Sequence, residues 1–202
     1  MTRLVLVRHG ESHWNAERRY QGQMDSGLTE LGRDQAAQVG RRLVDEIGTP
    51  SAIWSSDLPR ARDTSRPYSE AVAVPVVEDR RLREIDIGDW GGFRTDELAE
   101  EHRETVAAFT SGQDIRRGGG ETFAELRARV VECLFEAVAD QEGPVVVFCH
   151  GGAIQVAAAE AAGAPNPRPL GFVGPSNCSL TEFRLTPERF ALVSYNRGLP
   201  AS

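Results

Sequence analysis

The chain has 202 residues, 40% hydrophobic and 26% charged, with a formal net charge of -7. That length suits one domain, 1–202, with room for a sizeable core. The acidic balance argues against a broad nucleic-acid face, so any anion site must be a local positive cluster.

Leu4 to Val7 is a short apolar run that reads as a strand buried on both faces. It runs straight into Arg8, His9 and Gly10. Packing does not explain those residues, and strand ends of open α/β sheets are where ligands bind. Alone, the Arg-His pair is equally consistent with a solvated strand end. Glu11 to Leu28 is polar and irregular, with Asn15 early in it and Gly22 and Gly27 as breakers. Thr29 can cap a helix whose apolar stripe is Ala36, Val39, Leu43, Val44 and Ile47. Gly48 and Pro50 end it. Ala52 to Ser55 is a second strand, leading through a turn to Arg60.

Pro59 suits the first turn of the next helix, and Pro67 should break or kink it. Val74 to Val77 is a third strand. Leu82 to Trp90 reads as a loop of mixed apolar and acidic residues. Arg94 to Phe109 reads as one helix with a weak stripe of Leu98 and Val106. Ser111 to Gly120 is a flexible loop carrying Arg116 and Arg117. Thr122 and Glu125 form a capping box, followed by Phe123, Leu126, Val130, Leu134 and Val138 at helical spacing. Val145 to Phe148 is a strand that, like the first, delivers a histidine and glycines: His150, Gly151 and Gly152. Ala153 to Ala162 is a helix. Cys178 to Leu185 and Phe190 to Tyr195 form a closing hairpin with Pro187 in the turn. This alternation predicts a three-layer α/β/α sandwich, with a mainly parallel sheet and one antiparallel strand.

Two strands that each present a histidine followed by glycine are unlikely by chance in a chain with 4 His. RHGES with the following Asn15, then SSDLPRA, then the glutamate of LREIDIGDW, then CHGG, occur in this order along nearly the whole chain. Together they resemble the histidine phosphatase superfamily, with its phosphoglycerate mutase-like fold. The resemblance implies that His9 attacks a phosphate monoester and forms a phosphohistidine, which water hydrolyses. Arg8 and Arg60 would hold the phosphoryl oxygens, as guanidinium matches phosphate in a two-pronged geometry. Their field would favour neutral, nucleophilic His9. His150 would donate to a phosphoryl oxygen, and the helix beginning after Gly151 would add backbone donors. Asn15, Gln21 and Gly22 would complete the substrate site, and Glu84 would be the general acid.

Some of these positions have rivals. Arg62 competes with Arg60, but the pattern Ser-Ser-Asp-Leu-x-Arg-Ala selects Arg60 and leaves Arg62 a solvated helix residue. Asp86 and Asp89 compete with Glu84, whose carboxyl beside a phosphate anion would have a raised pKa. His13 and His102 lie in polar contexts and read as solvated. Cys149 adjoins His150, but strand neighbours face opposite ways, so it reads as a buried apolar residue. Gly118 to Gly120 follow no strand and are not a dinucleotide fingerprint. No metal cage is visible, and no cofactor is expected.

The place where mutases of this superfamily carry an ERHYG-type motif reads REIDIGDWGG, as in the phosphatase branch. Gly91 departs from the glutamate common in that branch. Mutases also tend to have a tail over the site, whereas this chain ends in a short polar segment. The expectation is a metal-independent phosphatase acting on a small phosphorylated metabolite. The alternatives are a cofactor-dependent phosphoglycerate mutase and a non-catalytic phosphate-binding protein. No nucleic-acid or membrane partner is expected, and a homodimer is left open. Three scattered cysteines without a CxxC read as reduced thiols in the cytoplasm. The N-terminus runs directly into a strand with no signal peptide, and no apolar run approaches the roughly 20 residues of a membrane span. The Ser111–Gly120 loop is expected to act as a lid whose arginines meet the leaving group, or else to carry two solvated charges.

Overall fold

Strands β1 (Thr2–Arg8) and β4 (Val145–Cys149) form the centre of the molecule. Every side chain from Leu4 to Val7 and from Val145 to Cys149 is fully buried. That is why both runs are apolar without alternation. The computed structural model describes residues 1–166, 168–169, 171–186 and 189–199. In chain order its elements are β1, α1 (His13–Ala16), α2 (Glu30–Ile47), β2 (Ala52–Ser55), α3 (Pro59–Val72), β3 (Val76–Glu78), α4 (Thr95–Glu101), α5 (Arg103–Thr110), α6 (Phe123–Val138), β4, α7 (Gly151–Ala161), β5 (Leu180–Thr186) and β6 (Arg189–Arg197).

The sheet runs β3-β2-β4-β1-β5-β6. Strands β1 to β4 are parallel, and β5 is antiparallel to both of its neighbours. This is the expected mainly parallel sheet with one reversed strand. Alternate residues feed opposite faces. Leu4, Leu6, Val145 and Val147 pack with Val130 and Leu134 of α6 and Ala153 and Val156 of α7. Val5, Val7, Val146 and Phe148 pack with Val39 and Leu43 of α2 and Tyr68 of α3. Burying one such aliphatic side chain stabilises by roughly 1.5–3 kcal/mol.

Several elements depart from the sequence reading. Pro67 does not end its helix, which continues to Val72. A proline there lacks an N–H and crowds the preceding turn. Packing compensates, because Pro67 and Tyr68 lie directly against Gly40 of α2. The expected helix from Arg94 to Phe109 is two helices, split at His102 (φ -120°, ψ 39°). The His102 ring packs 5.7 Å from Phe93 and 6.2 Å from Trp90, so it is not a freely solvated side chain. Strand β3 starts at Val76, later than expected, and Val44 is exposed at the edge of its stripe. Pro187, placed in the hairpin turn, lies outside the described residues.

Helix α2 is built hard against the loop that follows β1. The Thr29 hydroxyl caps it by accepting from Gly32 N (2.9 Å) and donates to a Glu11 carboxylate oxygen (2.8 Å). Thr29 N also donates to Glu11 O (2.9 Å). A Cβ at Gly32 would collide with the Glu11 carbonyl, and one at Gly10 with the Gly32 carbonyl. Replacing a helix glycine by alanine ordinarily gains about 1 kcal/mol. Here the collision reverses the sign. We expect Gly32→Ala to lose roughly 1–3 kcal/mol, read as a lower urea midpoint. A raised midpoint would contradict this packing.

Candidate active site

A cleft of about 220 Å³ opens at the carboxyl ends of the central strands. Arg8, His9, Asn15, Gln21, Gly22, Arg60 and Glu84 line it. Sheet register brings most of them together. Arg8 lies opposite Cys149, and His9 N donates to Cys149 O (3.1 Å), so His9 and His150 leave adjacent strands side by side. Their rings lie 5.2 Å apart. On the other side of β4, Ser56 N donates to Phe148 O (2.9 Å), which carries the turn to Arg60 toward the same edge. His150 is fully buried behind the cleft wall. Gly151 does not line the cleft, whereas Gly152, one residue on, does.

A hydrogen bond to a carbonyl assigns the tautomer of His9. His9 Nδ1 lies 2.7 Å from Gly10 O, so Nδ1–H donates there and Nε2 keeps its lone pair. His150 Nε2 lies 2.8 Å from Ser56 Oγ, which accepts from Leu58 N (3.3 Å). The Ser56 hydroxyl can donate to Nε2 or accept from it, and the buried Nδ1 has no partner among the described residues. Burial pushes both histidines well below their ordinary pKa, and the nearby Arg60 and Arg8 push the same way. Both rings are therefore neutral.

The arginines differ in how much of their charge is already matched. Arg60 is fully buried. It donates to Met24 O (2.7 Å) and Gly22 O (2.7 Å) and pairs with Asp25 (3.1 Å). Arg8 donates to Pro175 O (2.5 Å) and has no carboxylate at ion-pair distance among the described residues. Arg62 is exposed on α3, as expected. Asn15 turns its Oδ1 to Ser12 N (3.3 Å) and Asn177 Nδ2 (3.2 Å), so its own amide N–H groups remain unspent. Gln21 is held by Ser12 Oγ (2.8 Å) and Ser26 Oγ (3.3 Å).

Of the three candidate acids, Glu84 is the one in the cleft. Its carboxylate accepts from Ile85 N (2.8 Å) and Gly152 N (3.1 Å). Asp86 instead accepts from Gly88 N (2.9 Å), and Asp89 is exposed. Arg129 of α6 fixes this loop by donating to the carbonyls of Arg81 (2.7 Å), Arg83 (2.7 Å) and Glu84 (3.0 Å). It also grips Glu121 two-prongedly, at 2.7 Å on each oxygen. Arg83 is anchored on Asp57 (2.7 and 2.5 Å).

The cleft also takes residues that sequence reading passed over. Arg19, Tyr20, Ile85, Ile87, Phe123 and Gln155 line it. Phe123 had been read only as a core position of α6, and nothing in the sequence marks Arg19 or Gln155. The Arg116–Arg117 pair is split: Arg116 is exposed and bonded to Glu125, whereas Arg117 is buried and lines the cleft. Cys149 is buried and burial raises its thiol pKa, so it is no nucleophile. His13 is exposed. Among the described residues no cluster of three His, Cys, Asp or Glu could hold a metal, and no helix is long and apolar enough to cross a membrane.

The family model of the histidine phosphatase superfamily (branch 1) matches residues 4–198. A metal-independent phosphoserine phosphatase of Arabidopsis thaliana is 40% identical over 159 residues, 77% of this chain and 66% of its own length. A probable phosphoglycerate mutase of Salmonella paratyphi C is 41% identical over 157 residues, 76% of this chain and 72% of its own. Among solved structures, a mycobacterial glucosyl-3-phosphoglycerate phosphatase superposes with a TM-score of 0.89 at 32% identity, covering 98% of this chain and 100% of that one. The chain belongs to the histidine phosphatase superfamily. The expected fold accords with these relatives, and the expected class of hydrolase with the two named phosphatases.

The buried neutral histidines set a pH dependence. In the unfolded chain each regains a pKa near 6.5, whereas in the folded protein it titrates far lower. The unfolded state thus binds more protons in mild acid, so stability rises with pH up to about 6.5 and is lost below it. We expect the melting temperature to fall between roughly pH 6.5 and 5, and His150→Gln to flatten that slope. An unchanged slope would mean that His150 carries charge in the folded protein.

Proposed function

We propose that the chain hydrolyses small phosphate monoesters in two steps through a phosphohistidine at His9. The observation that carries this reading is the His9 tautomer. A neutral imidazole has Nδ1–H tied to Gly10 O, leaving the Nε2 lone pair for a cleft lined by guanidinium groups. Nε2 attacks phosphorus, the ester P–O bond breaks, and the leaving alkoxide takes a proton from Glu84. Water then attacks the phosphohistidine and returns a proton to Glu84, releasing inorganic phosphate and free His9. Arg8, Arg60, the Asn15 amide and His150 neutralise the phosphoryl oxygens during transfer. Ser56 positions His150 rather than touching substrate. Gln21 and Gly22 shape the clamp, since Gly22 O holds Arg60. The helix start at Gly151 supplies backbone donors, one of which, at Gly152, orients Glu84.

The cleft volume suits a phosphoryl group with a leaving group of a few atoms. Two of the relatives above are named a phosphoserine phosphatase and a glucosyl-3-phosphoglycerate phosphatase. The one named a probable mutase supports the second reading, phosphoryl transfer to another hydroxyl in place of water. Incubation with 3-phosphoglycerate and a bisphosphate primer separates them. Release of inorganic phosphate is expected, and rapid 2-phosphoglycerate formation would reverse the ranking. The three cysteines are buried and unpaired, which suits a cytoplasmic enzyme.

We expect His9→Ala to lose nearly all turnover while staying folded, and to abolish acid-labile phosphoryl labelling of the protein. Glu84→Gln should slow alkyl phosphates by on the order of 10²–10⁴-fold and p-nitrophenyl phosphate much less, because nitrophenolate leaves without a proton. Equal losses on both esters would assign the acid elsewhere. Reversible inhibition by a chelator would sink the metal-free route.

A further inference from the structure

Arg19 and Arg117 are the two arginines of the cleft that the two-step reaction does not use, and Arg117 is the one without a carboxylate partner among the described residues. It is 7% exposed, yet it has no carboxylate at ion-pair distance and no hydrogen-bond partner for its guanidinium among the described residues. Arg60 has Asp25, and Arg19 has Glu17 (2.9 Å) and Glu97 (3.5 Å). Arg117 has aromatic rings instead, with its Cζ 4.7 Å from the Phe123 centroid and 5.2 Å from that of Phe109. A second cation, Arg168, stacks 4.2 Å over Phe109 and repels it. Glu84, Tyr20 and Asp114 are the other titratable groups around it. Glu84 is committed to Ile85 N and Gly152 N, and Asp114 to Phe123 N (2.7 Å) and Ala124 N (3.0 Å). A buried charge without a partner is expensive, and ring faces offset only part of that cost.

The backbone holds this arginine in place. A Cβ at Gly118 would strike the 87–90 backbone, and one at Gly120 would strike Asp86. Glu121 N donates to Asp86 O (2.8 Å), and the Glu121 carboxylate accepts from Asp86 N (2.8 Å). The segment expected to be a mobile lid is thus laced to the loop that carries Glu84. Arg117 and the acid form one unit, facing the half of the cleft where the alcohol leaves. Phe123, Ile87 and Tyr20 supply the rest of that wall.

We infer that Arg117 is a specificity residue that binds a carboxylate on the leaving group, so the preferred substrates are phosphate monoesters of small hydroxy acids. Nε and Nη2 are sealed between the rings and their surroundings, and Nη1 is the nitrogen not so sealed. The carboxylate meets Nη1, while the phosphoryl end lies on His9, Arg8 and Arg60. The inference rests on the hydrolase reading and names the substrate class for it.

The test compares 3-phosphoglycerate with glycerol 3-phosphate, which has the same three-carbon skeleton with a hydroxymethyl in place of the carboxylate. In the native protein, kcat/KM should favour the acid by about tenfold or more, the size of one charge-assisted hydrogen bond. Arg117→Ala should collapse that ratio toward one, whatever it costs on both esters. Arg117→Met removes the charge but can still lie between the rings. It should collapse the ratio equally, and its melting temperature shows whether it is folded. A native ratio near one, or a ratio kept by both variants, overturns the inference. Turnover of p-nitrophenyl phosphate alongside either result leaves the hydrolase reading intact, whereas no turnover of any monoester removes that reading as well.

Discussion

The site depends on the insertion of β4 between β1 and β2. Without that insertion the two histidine-bearing strands would not be neighbours, and Ser56 would not reach His150. The register Arg8 opposite Cys149 puts one histidine directly after each strand. On the far side of β4, Ser55 pairs with Phe148 and delivers Ser56 and the turn to Arg60. A one-residue slip of β4 would turn its apolar side chains to the wrong faces, and these are buried on both sides. The packing that fixes the core therefore fixes the distance between the two rings.

Charge in the cleft is arranged against the charge of the chain. The protein carries -7 overall, yet the cleft gathers Arg8, Arg19, Arg60 and Arg117 around one carboxylate, Glu84. Burial removes the alternative of charging the histidines, so the positive groups are permanent guanidinium and not titrating imidazole. Such a cluster of fixed cations favours an anion over a neutral group. Guanidinium groups held in advance also need little reorganisation as charge develops on the phosphoryl oxygens. Their desolvation cost is carried by the double-sided core of β1 and β4, and it is offset when an anion binds to the folded state.

Local signals were legible where the physics is local. The Thr122–Glu125 capping box closes with both reciprocal bonds in place. Pro59 opens α3, and Thr29 caps α2. Cys149 is a buried core residue, as read. Tertiary packing hid the rest. Pro67 survives inside α3 because Gly40 of another helix lets it sit close, and that is not written in the segment itself. His102 ends one helix because Phe93 and Trp90 hold its ring, although its sequence neighbours favour continuing. Arg116 and Arg117 look identical in a glycine-flanked run. Only the docking of Gly118 on the 87–90 turn sends one outward and the other beneath two phenylalanines. Arg129 was invisible for the same reason, since its partners are backbone carbonyls more than forty residues away.

The two halves of the cleft rest on different supports. One half, with Arg8, His9 and Arg60 and with His150 buried behind them, is carried on the ends of β1 and β4 and on the turn after β2. The other is carried around the start of α6: Phe123 belongs to its first turn, Arg129 and Glu121 grip the Glu84 loop, and Arg117 sits just before it. The two halves are joined by Gly152 N to the Glu84 carboxylate (3.1 Å) and by Arg83 of the acid loop on Asp57 of the turn after β2 (2.7 and 2.5 Å). Function grafted on a fold varies most easily at such a boundary. It also explains why the strand motifs identify the chemistry here while the alcohol must be read from side-chain packing.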